Sequence, residues 1–134
     1  MNLFDGHCVT AFQLRRKDGS KVWAGGSFRA AGSAQSPTDI YRFRPGEVDW
    51  VPQRFWTSPR TRARYPVEWM VRTPADFYTV KAVIDNQELD SRSSTGAIYW
   101  EGLCSLQKPT GPGQEARAGQ GYLEMTGYAR PLQL

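Results

Sequence analysis

The residues best suited to acid–base chemistry are two glutamates near the C-terminal end of the chain. Glu101 lies in Tyr99-Trp100-Glu101-Gly102, and Glu124 in Gly121-Tyr122-Leu123-Glu124-Met125-Thr126-Gly127-Tyr128. Side chains alternate along a strand, so Tyr99, Glu101 and Leu103 share one face. Tyr122, Glu124, Thr126 and Tyr128 share a face of the partner strand. If those faces line a cavity, two carboxylates and three tyrosines meet there. Burial would then shift the carboxyl groups towards acid–base work. If they face water, the glutamates pair with surface arginines. Unpaired acids inside a barrel are costly, which favours this second arrangement. Ile98, Trp100, Cys104, Leu106, Leu123 and Met125 would then point to the core.

Other chemistries find little support. The chain has one histidine, His7, and two distant cysteines, Cys8 and Cys104. That is no zinc or iron ligand set, so neither a metal nor a cofactor is expected. A Ser-His-Asp or Cys-His arrangement would have to centre on His7, and no Gly-x-Ser-x-Gly elbow is present. Gly25-Gly26 lacks the spacing of a phosphate loop. Both cysteines fall in strand-like segments and read as buried free thiols, although a disulfide between neighbouring strands stays open. Arg60, Arg62 and Arg64 flank Tyr65-Pro66. They could clamp an acidic ligand, but loop charges paired with Asp85, Glu88 or Asp90 are the simpler reading.

The net charge of +4 is too thinly spread for a nucleic-acid footprint. No apolar run approaches the roughly 20 residues that span a bilayer. The first residues have no basic region followed by an apolar stretch, so no signal peptide is expected and a cytoplasmic location follows by default. Aromatic residues make up 13% of the chain, which favours strands and suits a cavity or interface.

The elements that must position these residues are strands. His7 to Arg16 alternates, with Cys8, Thr10, Phe12 and Leu14 on one face. Asp18-Gly19 is a hairpin turn, and Lys21 to Ala30 returns. Ala30 to Thr38 reads as loop. Ile40 to Phe43 is a short strand. Val48 to Thr57 is a strand that Pro52 bends or confines to an edge. In Pro66 to Thr73, Val67, Trp69 and Val71 face one way. In Phe77 to Asp85, Tyr78, Val80, Ala82 and Ile84 do so. Asn86 to Thr95 reads as a long connection. Ala97 to Gln107 and Gly119 to Ala129 form a final hairpin. No segment shows helical periodicity. The count of about eight strands fits an antiparallel barrel over residues 1–134.

Several segments, in order, resemble a known family. They are the stretch from Trp56-Thr57-Ser58-Pro59-Arg60 to Tyr65-Pro66-Val67-Glu68-Trp69, then Asp85 to Asp90, Ser94 to Gly96, Tyr99 to Gly102 and Gly119 to Tyr128. Phe12 to Gly19 resembles the hairpin nearer the family's start. The family is that of the hydroxyneurosporene synthases (carotenoid 1,2-hydratases) and AttH-like proteins. The resemblance implies a lipocalin-like β-barrel. Members usually carry two such domains, and this chain resembles the second. Leu3 to Gly6 falls where the family's first strand is already ending. The resemblance therefore implies a barrel lacking its first strand, an exposed edge, and a homodimer that covers it.

The expected function is binding of a small hydrophobic or amphipathic molecule in an aromatic-lined cavity. Trp69, Tyr78, Tyr99, Glu101, Tyr122 and Glu124 are the expected ligand-binding residues. One alternative is a hydratase acting on an isoprenoid alkene, with Glu101 or Glu124 as acid. Another is a structural or interaction remnant of a larger two-domain protein.

Overall fold

Polar and apolar residues alternate along most of this chain, and the result is strands throughout. A computed structural model describes residues 1–32 and 39–130. Its elements are β1 (Asn2–Leu3), β2 (Cys8–Arg15), β3 (Lys21–Arg29), β4 (Ile40–Arg42), β5 (Asp49–Thr57), β6 (Arg64–Arg72), β7 (Phe77–Ala82), β8 (Glu88–Ser91), β9 (Ala97–Gly111) and β10 (Gln114–Met125). They form one antiparallel sheet in the order β4-β3-β2-β1-β10-β9-β7-β6-β5, with β8 pairing β9 off this path. The sheet curls into a half-barrel, as the all-β, lipocalin-like expectation requires. No helix is long and apolar enough to cross a membrane among the described residues.

The core lies against the inner face. Val67, Trp69 and Val71 of β6 are buried there, with Tyr78 and Val80 of β7, Trp100, Cys104 and Leu106 of β9, and Leu123 and Met125 of β10. These are the alternate positions that the sequence groups on one face. Burial of each large side chain is worth about 1.5–3 kcal/mol.

β2 behaves differently from its neighbours. Its buried residue is Val9, with Ala11 packed against the core, whereas Phe12 and Leu14 are exposed on the outer face. The apolar run Cys8, Thr10, Phe12 and Leu14 therefore points away from the core. Phe12 instead packs on Trp23 of β3, ring centroids 4.7 Å apart. Trp23 lies across Gly25, where a Cβ would come within 2.4 Å of the indole.

The turn after β2 also departs from expectation. A two-residue turn with Asp18 and Gly19 both at positive φ would have joined β2 to β3. Only Gly19 has positive φ, at +85°, and the N–H of Arg16 donates to the Ser20 carbonyl at 2.8 Å. That is a three-residue loop closed by a left-handed glycine. Asp18 holds it by accepting from the Ser20 N–H at 2.9 Å.

One strand, and part of the length of the last hairpin, escaped the sequence reading. β8 falls inside the segment read as a connection, because its Glu-Leu-Asp-Ser composition carries no strand signal. β9 and β10 run on past the expected hairpin ends to a turn at Pro112-Gly113, accommodating Pro109 and Gly119 with register shifts at residues 114–115 and 117–119. Pro52 lies on β5, which is the last strand of the sheet, and irregularities flank Arg54. Most of the loop expected over Ala30 to Thr38 lies outside the described residues.

Candidate functional site

The inner face of β5, β6 and β7 is aromatic. Trp50 meets Trp69 edge to face, with centroids 5.5 Å apart at 89°. Trp56 stacks on Tyr65 at 6.1 Å, and Tyr65 meets Tyr128 at 5.5 Å. Arg15 of β2 reaches over the Tyr128 ring, 3.6 Å from its centroid. Among the described residues, Trp50 Nε1, Trp69 Nε1 and the Tyr78 hydroxyl on these strands, and Gln13 Oε1 on β2, are buried with no hydrogen-bond partner. Burial pushes the Tyr78 hydroxyl up to about 12, so it stays protonated and remains a donor. Buried polar groups are normally satisfied, and each orphan costs about 1–3 kcal/mol. A group of orphans on one aromatic surface is the arrangement that a ligand with a few polar atoms would complete.

A second cluster is built around a hydrogen-bonded carboxylate. Glu88 of β8 has a side chain only 1% exposed. It accepts from Ser58 Oγ at 2.8 Å, Thr61 Oγ1 at 2.5 Å and Arg60 Nε at 3.2 Å. Burial alone would push its carboxyl up. The hydrogen bonds from Thr61 and Ser58, with Arg60, outweigh that and hold it below the usual carboxylate range. The Tyr65 hydroxyl is close to this carboxylate but makes no hydrogen bond of good geometry with it. Ser58 Oγ also accepts from the N–H groups of Arg60 and Thr61, at 3.2 Å each, which folds the loop back on itself. Within that loop Arg62 sits at φ +64°. Glu88 is thus the anchor of the Ser58–Ala63 loop. Of the three loop arginines, Arg60 pairs with Glu88, while Asp85 pairs with Arg54 of β5 through two contacts of 2.6 and 2.8 Å.

The six expected ligand-binding residues do not share a face. Trp69 and Tyr78 are buried on the inner side. Tyr122 and Glu124 are exposed, and Tyr99 and Glu101 are half-buried, at the alternate positions that face outward. Glu101 and Glu124 are register partners in the β9–β10 ladder. The face of the last hairpin that packs inward carries Trp100, Cys104, Leu106, Leu123 and Met125. Trp50, Tyr65 and Gln13 were not singled out from the sequence. Trp50 belongs to a segment broken by Pro52, and Gln13 looks like an ordinary outward polar residue.

Cys8 and Cys104 are both free. Burial pushes the Cys104 thiol up to about 11. No group of three or more potential metal ligands occurs among the described residues. Two surface clefts are present. One, of 510 Å³, lies at the β9–β10 turn; the other, of 270 Å³, is flanked by Arg60, Asp90, Arg92 and Arg130. Neither is lined by the inner-face aromatics.

Residues 1–128 match the family model described as AttH-like. A crystal structure of an AttH candidate from Nitrosomonas europaea is 42% identical, with a TM-score of 0.76 over 95% of this chain and 37% of that one. Kievitone hydratase from Nectria haematococca is 16% identical, with a TM-score of 0.61 over 94% of this chain and 36% of that one, a likeness of fold. The chain therefore spans little more than a third of the length of the structures it matches. No curated protein matches it. With nearly its whole length covered by the family model, this chain belongs to the AttH-like family.

Proposed function

We propose that this chain is a binding module whose inner aromatic face receives a small amphipathic molecule. The observation that supports this reading is the set of buried, unpartnered Trp50 Nε1, Trp69 Nε1 and Tyr78 hydroxyl groups on one apolar surface. A ligand with an apolar body and one or two acceptor oxygens would use the rings for contact area and the orphaned donors for orientation. Trp69 and Tyr78 belong to this reading. Tyr99, Glu101, Tyr122 and Glu124 lie on the other face, and the reading does not call on them.

The experiment is a titration followed by tryptophan fluorescence and thermal shift, with isoprenoids, fatty acids and aromatic polyketides as probes. The expected outcome is quenching with at least one class, weakened by Trp69→Phe and Tyr78→Phe. No spectral change and no shift in Tm with any class would overturn it.

A hydratase activity of the carotenoid 1,2-hydratase or kievitone hydratase kind draws less support. Its acid would have to be Glu101 or Glu124, which point outward, or Glu88, whose oxygens already accept from Ser58, Thr61 and Arg60. A homodimer through the outermost strands is similarly disfavoured. β4 has three residues, and β5 carries Pro52 and irregular pairing, which are features that discourage edge-to-edge association.

A further inference from the structure

Strand β8 carries two carboxylates, and each holds an arginine from a neighbouring segment. Alternate residues of a strand share a side, so Glu88 and Asp90 belong to one face. Glu88 takes Arg60 of the Ser58–Ala63 loop. Arg60 Nε donates to Glu88 Oε1 at 3.2 Å, and Arg60 Nη2 donates to the Glu88 carbonyl at 3.3 Å. Asp90 takes Arg92, the first residue of the turn that leads to β9. Arg92 Nε donates to Asp90 Oδ1 at 2.9 Å, and Arg92 Nη2 to Asp90 Oδ2 at 2.7 Å. Among the described residues, the hydrogen bonds of both guanidiniums run through Nε and Nη2, which leaves Nη1 of each.

The backbone keeps both arginines in place. Ser58 Oγ accepts from the Arg60 and Thr61 N–H groups and folds that loop back. The Ser91 carbonyl accepts from the N–H groups of Ser94, Thr95 and Gly96, at 3.0, 2.8 and 3.1 Å, and closes the turn at Arg92. A planar guanidinium fixed along one edge aims its remaining N–H groups in a set direction. The Arg92 guanidinium beside Asp90 holds its carboxyl down to about 2, with Arg60 adding a smaller pull, so Asp90 stays charged and keeps its arginine.

Both arginines line the 270 Å³ cleft, together with Asp90, Ile98, Ala129 and Arg130. Arg130 arrives from the segment after β10. Tyr128 anchors that segment, with its ring 5.5 Å from Tyr65 and under the Arg15 guanidinium. Three guanidiniums from three parts of the chain therefore meet at one cleft, against the two carboxylates of β8. Ile98 and Ala129 give the same cleft an apolar side.

We propose that this cleft binds the phosphoryl group of a small phosphate monoester, with Nη1 of Arg60, Nη1 of Arg92 and the Arg130 guanidinium as its donors. The site is separate from the aromatic inner face, none of whose orphaned donors lines it. A carboxylate offers two oxygens, whereas a phosphoryl group offers three, which suits donors from three directions. The ester substituent rests on Ile98 and Ala129. The cleft is smaller than the pockets of drug-sized ligands, so the substituent is small.

The probe is phenyl phosphate, titrated into the full chain at about pH 7.5, where it is a dianion. The Nε–H signals of Arg60 and Arg92 are followed by NMR. Both should shift saturably below about 10 mM. Arg92→Gln and Arg130→Gln should each weaken binding by about tenfold or more. Arg42→Gln, which removes the same charge from β4, should change it by less than about twofold. Inorganic phosphate and benzoate should both bind several-fold more weakly than phenyl phosphate. No saturable shift with phenyl phosphate, or equal losses in Arg92→Gln and Arg42→Gln, would overturn the site. Inorganic phosphate bound as tightly as phenyl phosphate would overturn the monoester, and benzoate bound as tightly would overturn the phosphoryl group.

Discussion

The Gln87 carboxamide occupies the space that a side chain at Gly102 would fill. A Cβ at Gly102 would lie 2.0 Å from Gln87 Cδ. From that position Gln87 Nε2 donates to the Ile84 carbonyl at 2.7 Å, and Gln87 Oε1 accepts from the Leu103 N–H at 3.0 Å. Two segments read separately from the sequence, Asp85 to Asp90 and Tyr99 to Gly102, are thus halves of one contact. Next to it the buried Trp100 donates Nε1–H to the Asp85 carbonyl at 2.6 Å. Gly102→Ala must push the Gln87 side chain out and break its hydrogen bonds. A loss of about 1–3 kcal/mol is expected from urea unfolding. Gln87→Ala should cost a similar amount, and the double variant should cost much less than the sum. Additive losses would show that the two residues are independent.

Glu88 contributes to stability at the acid end of the pH range. Its folded carboxyl lies below the ordinary value of 4.5, so the unfolded chain takes up the proton first as pH falls. The stabilisation is therefore present above about pH 4.5 and is lost as pH drops through the lower, folded value. Glu88→Gln should lose about 1–3 kcal/mol at pH 7, since it removes the charge opposite Arg60 and turns one of the two acceptor oxygens, which Ser58, Arg60 and Thr61 share, into an amide donor. Its urea midpoint should also fall less than the parent's between pH 5 and pH 3 (about the carboxylate range). Equal acid sensitivity of the two proteins would exclude a contribution from Glu88.

Tyr78 distinguishes a satisfied core from one awaiting a ligand. Its hydroxyl is buried without a partner. Tyr78→Phe removes that orphan without changing the ring, so the ligand-free protein should be as stable or more stable, by up to about 1 kcal/mol. The same variant should bind the amphipathic probe more weakly. Destabilisation on thermal melting would mean that the hydroxyl is hydrogen-bonded in solution.

The two thiols should react differently. Cys104 is fully buried and its thiol is pushed up to about 11, whereas Cys8 is half-buried on β2. Iodoacetamide at pH 8 should leave Cys104 unmodified in the native protein, and any label should fall on Cys8, as found by peptide mapping. Denaturation in urea should expose both. Native labelling of Cys104 would place β9 outside the protected core.

Arg62 holds a left-handed backbone conformation at φ +64° in the Ser58–Ala63 loop. Such a conformation costs a non-glycine residue about 1 kcal/mol, so Arg62→Gly should be neutral or slightly stabilising. A loss above that amount would assign the Arg62 side chain a contact of its own.

Local alternation determined most of the strands, and with them the all-β class. In β6, β7, β9 and β10 the apolar period of two also selected the inward face, because one side of each strand is buried. It did not do so in β2. There Phe12 and Leu14 form the more apolar face yet lie outside, since Trp23 of β3 offers Phe12 a partner on the outer surface. β8 was invisible because it is four residues long, three of them polar, and pairs with β9 through the backbone. The glutamates of the last hairpin were legible as a pair, and Glu101 and Glu124 are indeed cross-strand neighbours. Which way they point depended on where Trp100 and Leu123 could be buried, and that is a property of the curled sheet. The Glu88 anchor joins residues about thirty positions apart. Sequence sets each strand's own preferences; only tertiary structure brings distant strands together and decides which of their faces is buried.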